Sequence, residues 1–162
     1  MKISRQEPKA VRAADTDIRF TSILEPAYQE DLEKLLFFNP LQTRAHAGIS
    51  ESIREYGVPN VVTNGERLRI QLDGLPETQS LFALNHRPKK PELVGVMVYA
   101  RVDIEHIVLL HIAVKEEYSR LGKYGEAMLV PRLLTQLREI GRRIKGVRAI
   151  NLKYQSGLIL PL

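Results

Sequence analysis

IAVKEEYSRLGKYGEAML, residues Ile112 to Leu129, runs from the end of an apolar strand through a polar, glycine-bearing turn into a helix. Upstream, Ile107 to Val114 (IVLLHIAV) is almost wholly apolar, which is the pattern of a central strand covered on both faces. Downstream, Leu129, Leu133, Leu137, Ile140 and Ile144 make one apolar stripe, predicting a helix from about Glu126 to Lys145. Pro131 must kink that helix or set its true first turn nearby. Gly146 ends it, and Val147 to Lys153 (VRAINLK) reads as another strand. Strand, loop, helix and strand in this order make a parallel crossover unit.

Further upstream, Ser80 to Asn85 and Leu93 to Arg101 read as strands joined by the proline-rich loop His86 to Pro91, an antiparallel hairpin. Leu68, Ile70 and Leu72 alternate with polar residues, the mark of a half-buried strand. Asp17 to Leu24 is predicted as a first strand. A helix opens at Glu25-Pro26 and breaks at Asn39-Pro40, and a second covers about Leu41 to Tyr56, with Gly57 as its stop. Residues 1 to 16 are polar and aperiodic and are predicted to form a flexible arm before a single domain over 17 to 162. The expected fold class is α/β, a mixed β-sheet with flanking helices.

The composition bounds the function. The chain of 162 residues supports one core. It contains no apolar run near the ~20 residues that span a bilayer. The N-terminus lacks an apolar signal region, so the cytoplasm is the expected compartment, with no membrane partner. With no cysteine there is no disulfide, thiolate metal site or cysteine nucleophile. The four histidines (His46, His86, His106, His111) lack ligand spacing, and no metal is expected. Nine Lys/Arg against four Glu between Lys115 and Arg148 concentrate positive charge and favour an anionic partner. Nucleic acid is the less favoured choice, because only Tyr118 and Tyr124 interleave with those charges.

The opening segment resembles motif A of the GNAT N-acetyltransferase superfamily. The family pattern, Arg/Gln-x-x-Gly-x-Gly/Ala, falls on Arg120-Leu-Gly-Lys123-Tyr-Gly125, with Lys123 where the family usually has glycine. Ile112-Ala113-Val114 before it, Glu126-Ala127-Met128-Leu129 after it and the strand with Leu93-Val94-Gly95-Val96 fit the same wording. The resemblance implies a GNAT-like sheet with a coenzyme A unit, and acetyl-CoA as the co-substrate. It also implies transfer of an acetyl group to a primary amine on a small molecule, a protein or an aminoacyl group.

The same resemblance assigns site residues. Backbone N–H groups of Leu121, Gly122, Lys123, Tyr124, Gly125 and Glu126, with the charges of Arg120 and Lys123, would hold the pyrophosphate. Ile112, Ala113 and Val114 would pair with the pantetheine arm, and the Val147 to Lys153 strand would splay away to admit the thioester. The family's usual strand glutamate falls on Val108, so the nearby substitute bases are Glu105, His106 and His111, with His106 sharing the parity of Val108. His111, on the other parity, reads as a packed histidine. Tyr154 is the candidate acid. The chain stops at Leu162, before the family's last helix and hairpin, and a homodimer is one way to complete the sheet. A coenzyme A binding protein without turnover, or one associated with tRNA, is the alternative.

Overall fold

In a computed structural model of the chain, which describes residues 16–39, 53–75, 77–152 and 158–162, six strands form one mixed sheet. Their spatial order is β1 (Ile18–Thr21), β4 (Gln79–Asn85), β5 (Glu92–Arg101), β6 (His106–Val114), β7 (Ala149–Leu152) and β8 (Leu158–Pro161). All neighbours are antiparallel except β6 and β7, which the helix α2 (Leu129–Arg143) connects in parallel. The α/β class and the strand–loop–helix–strand unit are therefore as expected. The tail that closes the sequence is β8, hydrogen-bonded to β7. The arm expected over residues 1 to 16 lies outside the described residues except for Thr16, as does most of the helix expected from Leu41, of which only 53–56 is described and helical.

Each face of the sheet carries its own core. On one face α1 (Gln29–Phe37) places Leu32, Leu35 and Leu36 against Val96, Val98, Val108 and Leu110. Leu68, Ile70 and Leu72 of β3 (Arg67–Leu72) join the same cluster, as their alternation predicts. The partner of β3, β2 (Pro59–Asn64), was not foreseen, although Asn64-Gly65 between the two is a strong hairpin signal. On the opposite face Leu129, Leu133 and Leu137 of α2 pack on Met97, Ile107, Leu109 and Ile150. Ile140 and Ile144 are only half-buried, and Gly141 takes the next place in the seam. No helix among the described residues is long and apolar enough to cross a membrane.

Several boundaries differ from the sequence reading. β1 ends at Thr21, where its hydroxyl exchanges hydrogen bonds with the Ile23 backbone and turns the chain. More consequentially, α2 starts at Leu129 and not at Glu126. Gly125–Ala127 form a 3-10 turn, and Met128 follows with a left-handed φ of 52°. Pro131 gives the reason, since a helix begun at Glu126 would bury proline in its interior, against the carbonyl four residues back. Starting at Leu129 leaves Pro131 in the first turn, where no N–H is needed. At the other end the helix stops at Arg143, two residues before Lys145.

Leu133 is fully buried between α2 and the sheet. Leu133→Ala is expected to lower the unfolding free energy by about 2–5 kcal/mol, read as a shifted urea midpoint with an unchanged slope. A loss below about 1 kcal/mol would contradict this packing.

Candidate active site

β7 stays beside β6 for only four pairs, His106↔Ala149 to Leu109↔Leu152. On its other side β6 is paired with β5 up to Gly95↔Val114. From Ile112 to Val114, therefore, β6 has one edge that no described strand covers. Backbone N–H and C=O groups on such an edge are ready to pair with an extended ligand. At its far end Asn39, just beyond α1, donates from Nδ2 to the Val114 carbonyl at 2.8 Å.

A cavity of about 610 Å³ opens on this edge. Ile112, Ala113 and Val114 form one wall, the start of α2 at Leu129, Val130 and Pro131 another, and Ser119, Arg120, Gly125 and Met128 lie around them. Asn39 and Tyr118 complete the lining. Of the expected cofactor residues, Ile112, Ala113, Val114, Arg120 and Gly125 reach this cavity, while Leu121, Gly122, Lys123, Tyr124 and Glu126 do not. Asn39 and Pro131 had been read as a helix breaker and a first-turn residue, and nothing in the sequence places them here.

The loop between β6 and α2 is held mainly by its own backbone. The N–H groups of Gly122, Tyr124 and Gly125 donate to the carbonyls of Ser119, Glu117 and Gly122 at 2.9, 2.7 and 3.0 Å. Those amides are therefore engaged inside the loop, so a phosphate would have to displace them. A β-carbon on Gly122 would sit 2.4 Å from the Glu116 carbonyl oxygen, and one on Gly125 equally close to that of Arg120. The glycines are needed for the loop to fold on itself. Leu129 and Val130 carry the N–H groups that precede the first intrahelical bond, Arg132 N–H to the Met128 carbonyl.

Aromatic stacking holds the loop together, and a hydrogen bond ties it to the end of β4. Tyr118 stacks on Tyr124 with ring centroids 4.8 Å apart, and its hydroxyl accepts from Asn85 Nδ2 at 2.9 Å. Burial pushes the Tyr118 phenol up to about 12, so it stays protonated at neutral pH. The basic stretch disperses into separate contacts. Lys115 pairs with Glu92 at 2.7 Å, Arg142 with Glu139 and Arg148 with Glu105, and Lys123 lies over the Tyr124 ring. Arg120 is exposed at the cavity.

The candidate bases sit elsewhere. His106 opens β6 at the end away from the uncovered edge, with Nδ1 2.8 Å from Asp103 Oδ1. That hydrogen bond holds the Asp103 carboxyl below its usual range. Glu105 is beside Arg148, 3.7 Å between Oε1 and Nε. Six residues along the strand from His106 to Ile112 is ~20 Å; parity gave His106 the face of Val108 but ignored this distance. Neither residue lines the cavity, and Tyr154 lies outside the described residues. Among the described residues no three His, Asp or Glu converge as metal ligands.

His111 is the residue that the parity argument misplaced. Val98 pairs with His111 and Tyr99 with Leu109, so Leu110 is an extra residue in β6. Such a bulge puts two successive side chains on one face. Leu110 and His111 both point to the α1 face, into a second cavity of about 220 Å³, while Ile112 and Val114 return to the α2 face. His111 is 7% exposed, and burial depresses its imidazole to about 4.

Comparison with solved structures finds similarity at low identity. A crystal structure of an acetyltransferase from Streptococcus agalactiae 2603 is similar to this chain at 14% identity. The match covers 83% of this chain and 71% of that one, with a TM-score of 0.46. No family model and no curated protein sequence matches.

His111 is neutral in the fold but takes up a proton in the unfolded chain below ~6.5. Stability from this residue is therefore present above that pH and falls as the pH drops toward its folded value. The loss should reach roughly 3 kcal/mol. Urea midpoints at about pH 7 and about pH 4.5 should differ more for the parent than for His111→Asn. Equal differences would mean that His111 is not buried as described.

Proposed function

We propose that this chain is an acetyl-CoA-dependent N-acetyltransferase acting on a primary amine. The observation that carries the reading is the edge of β6 from Ile112 to Val114, along which no described strand is paired, beside an apolar cavity of about 610 Å³. The pantetheine arm has amide groups spaced along a chain, which suits it to pair with a strand edge as an added strand would. The apolar walls at Ile112, Leu129 and Val130 suit its methylene and gem-dimethyl parts. For the diphosphate, the residues on hand are Arg120 and the amides of Leu129 and Val130 at the positive end of α2. This differs from the grip first expected, in which the amides of residues 121 to 126 would do the work.

In the proposed reaction the amine lone pair attacks the thioester carbonyl carbon, a C–N bond forms, the C–S bond breaks and the thiolate leaves. In this reading a backbone N–H on the β6 edge would polarise the carbonyl oxygen, and the proton lost by the nitrogen would go to the thiolate or to solvent. Val108, where the family resemblance puts a glutamate, is buried among apolar side chains and has no proton to move. That observation supports the second reading, a protein that binds coenzyme A without turnover. The acceptor and the compartment belong to the same proposal, and a cytoplasmic enzyme is the expectation from sequence.

Isothermal titration with acetyl-CoA should give a Kd between ~1 µM and ~1 mM, the range of enzyme substrates. Arg120→Ala should weaken it about five- to tenfold, and raised salt should do likewise. Absence of heat over this range would end both readings, whereas binding without thiol release on any amine would favour the second. Substitutions at Gly122 or Gly125 are poor tests, because they disturb the loop before they touch a ligand.

A further inference from the structure

From the far end of α2 we infer a second binding surface, a rigid cationic face over Arg138 to Arg148 that takes the phosphate backbone of a nucleic-acid duplex. That surface is independent of the acetyltransferase reading, lying about 20 Å along the helix from the cavity at Leu129 and Val130. Arg138, Arg142, Arg143, Lys145 and Arg148 are all exposed there, and Glu139 is the one acid in the stretch. Arg142 bonds to Glu139 at 3.1 Å, and Arg148 lies 3.7 Å from Glu105. Arg138, Arg143 and Lys145 make no ion pair among the described residues. Cations in the last turn suit a helix C-terminus, and Arg142 and Arg143 meet that need. Arg138, Lys145 and Arg148 exceed it.

Two interlocked loops make the face rigid. Arg101, at the end of β5, donates from Nη2 to the carbonyls of Ile104 and Lys145 at 2.7 and 3.0 Å. Its Nε donates to the Asp103 carbonyl at 3.1 Å. One guanidinium therefore joins the β5–β6 loop to the turn that follows α2. The N–H groups of Arg148 and Ala149 both donate to the Glu105 carbonyl, at 2.8 and 3.2 Å. Gly146 turns with a φ of 91°, and a β-carbon there would meet Ile104 Cγ2 at 3.3 Å. Cations fixed on such a frame lose less freedom on binding than cations on a loose loop.

The chemistry of the face selects its partner. Four of the five cations are arginines, whose planar fork grips phosphate oxygens in pairs. Arg138 and Arg142 stand one turn apart on the solvent side of α2, opposite the buried seam of Leu133 and Leu137. No aromatic side chain lies among them. Tyr118 and Tyr124, the aromatics of the basic stretch, stack on each other in the loop at the other end of the helix. Single strands are held largely by bases stacking on aromatic rings. Contact here is with the backbone alone, and a duplex presents the denser line of phosphates. A bilayer fits less well, because binding in its interface takes a whole apolar face. The face offers Ile104, with Val102 nearby, and Asp103 and Glu105 flank it.

Fluorescence anisotropy with a labelled duplex DNA of about 20 base pairs tests the surface. At low salt the Kd should fall between ~1 and ~100 µM, and log K against log salt should slope at about −3 to −5. A second duplex of unrelated sequence should bind within about threefold, and a single strand of equal length more weakly. Arg138→Ala with Lys145→Ala should weaken duplex binding at least about fivefold and flatten the slope by about two. Both positions are exposed, so the double variant should keep its Tm and its affinity for acetyl-CoA. Arg120→Ala should bind duplex as the parent does. No anisotropy change up to ~100 µM protein, or an unaltered slope in the double variant, overturns the inference. Equal affinity for phosphatidylserine vesicles or for polyglutamate overturns it too, as does a slope flattened by Arg120→Ala instead. Failure to bind acetyl-CoA would end the acetyltransferase reading and leave this surface standing.

Discussion

Four residue pairs hold β7 to β6 among the described residues. Every other feature of the candidate site follows from that short ladder. Were β7 to continue alongside β6 to Val114, the backbone edge would be satisfied and the cavity at Ile112 to Val114 would close. An uncovered stretch in a central strand is unfavourable unless something pairs with it, because buried backbone groups without partners cost free energy. On its other side β6 is paired with β5 from Ile107 to Val114 apart from the bulge at Leu110, and it is packed on both faces. Stability and accessibility are thus assigned to opposite edges of one strand.

The turn after β6 plays a different part from the one its glycines suggest. It is a self-bonded knot of two 3-10 turns, stacked through Tyr118 and Tyr124 and tied to Asn85. Its rigidity positions Ser119 and Arg120 at the cavity. Met128 in a left-handed conformation then turns the chain so that α2 begins beside β6. A non-glycine residue held there costs on the order of 1–2 kcal/mol. The offset comes from the seam that Leu129, Leu133 and Leu137 bury against the sheet.

The elements with a simple burial period were legible. The alternation in β3, the unbroken apolar run of β6 and the leucine stripe of α2 each report directly which side chains are covered. The site was legible in part, as Ile112, Ala113, Val114, Arg120 and Gly125 do converge. What escaped notice are features that leave no period. In an all-apolar strand one extra residue is invisible, so the bulge that turns His111 toward α1 could not be read. Asn39 comes from a helix end seventy-five positions away in sequence from Val114, a juxtaposition only the fold supplies. The start of α2 was misread because an apolar stripe marks a helix's face better than its first residue.

The central claim is that the open edge of β6 is where coenzyme A lies, and a crystal structure of the chain with coenzyme A bound tests it most directly. The expected result is a pantetheine arm alongside Ile112 to Val114, its amides hydrogen-bonded to the β6 backbone and its phosphates near Arg120 and the start of α2. A complex with the cofactor bound elsewhere, or a structure with another strand paired along that edge, would contradict the account.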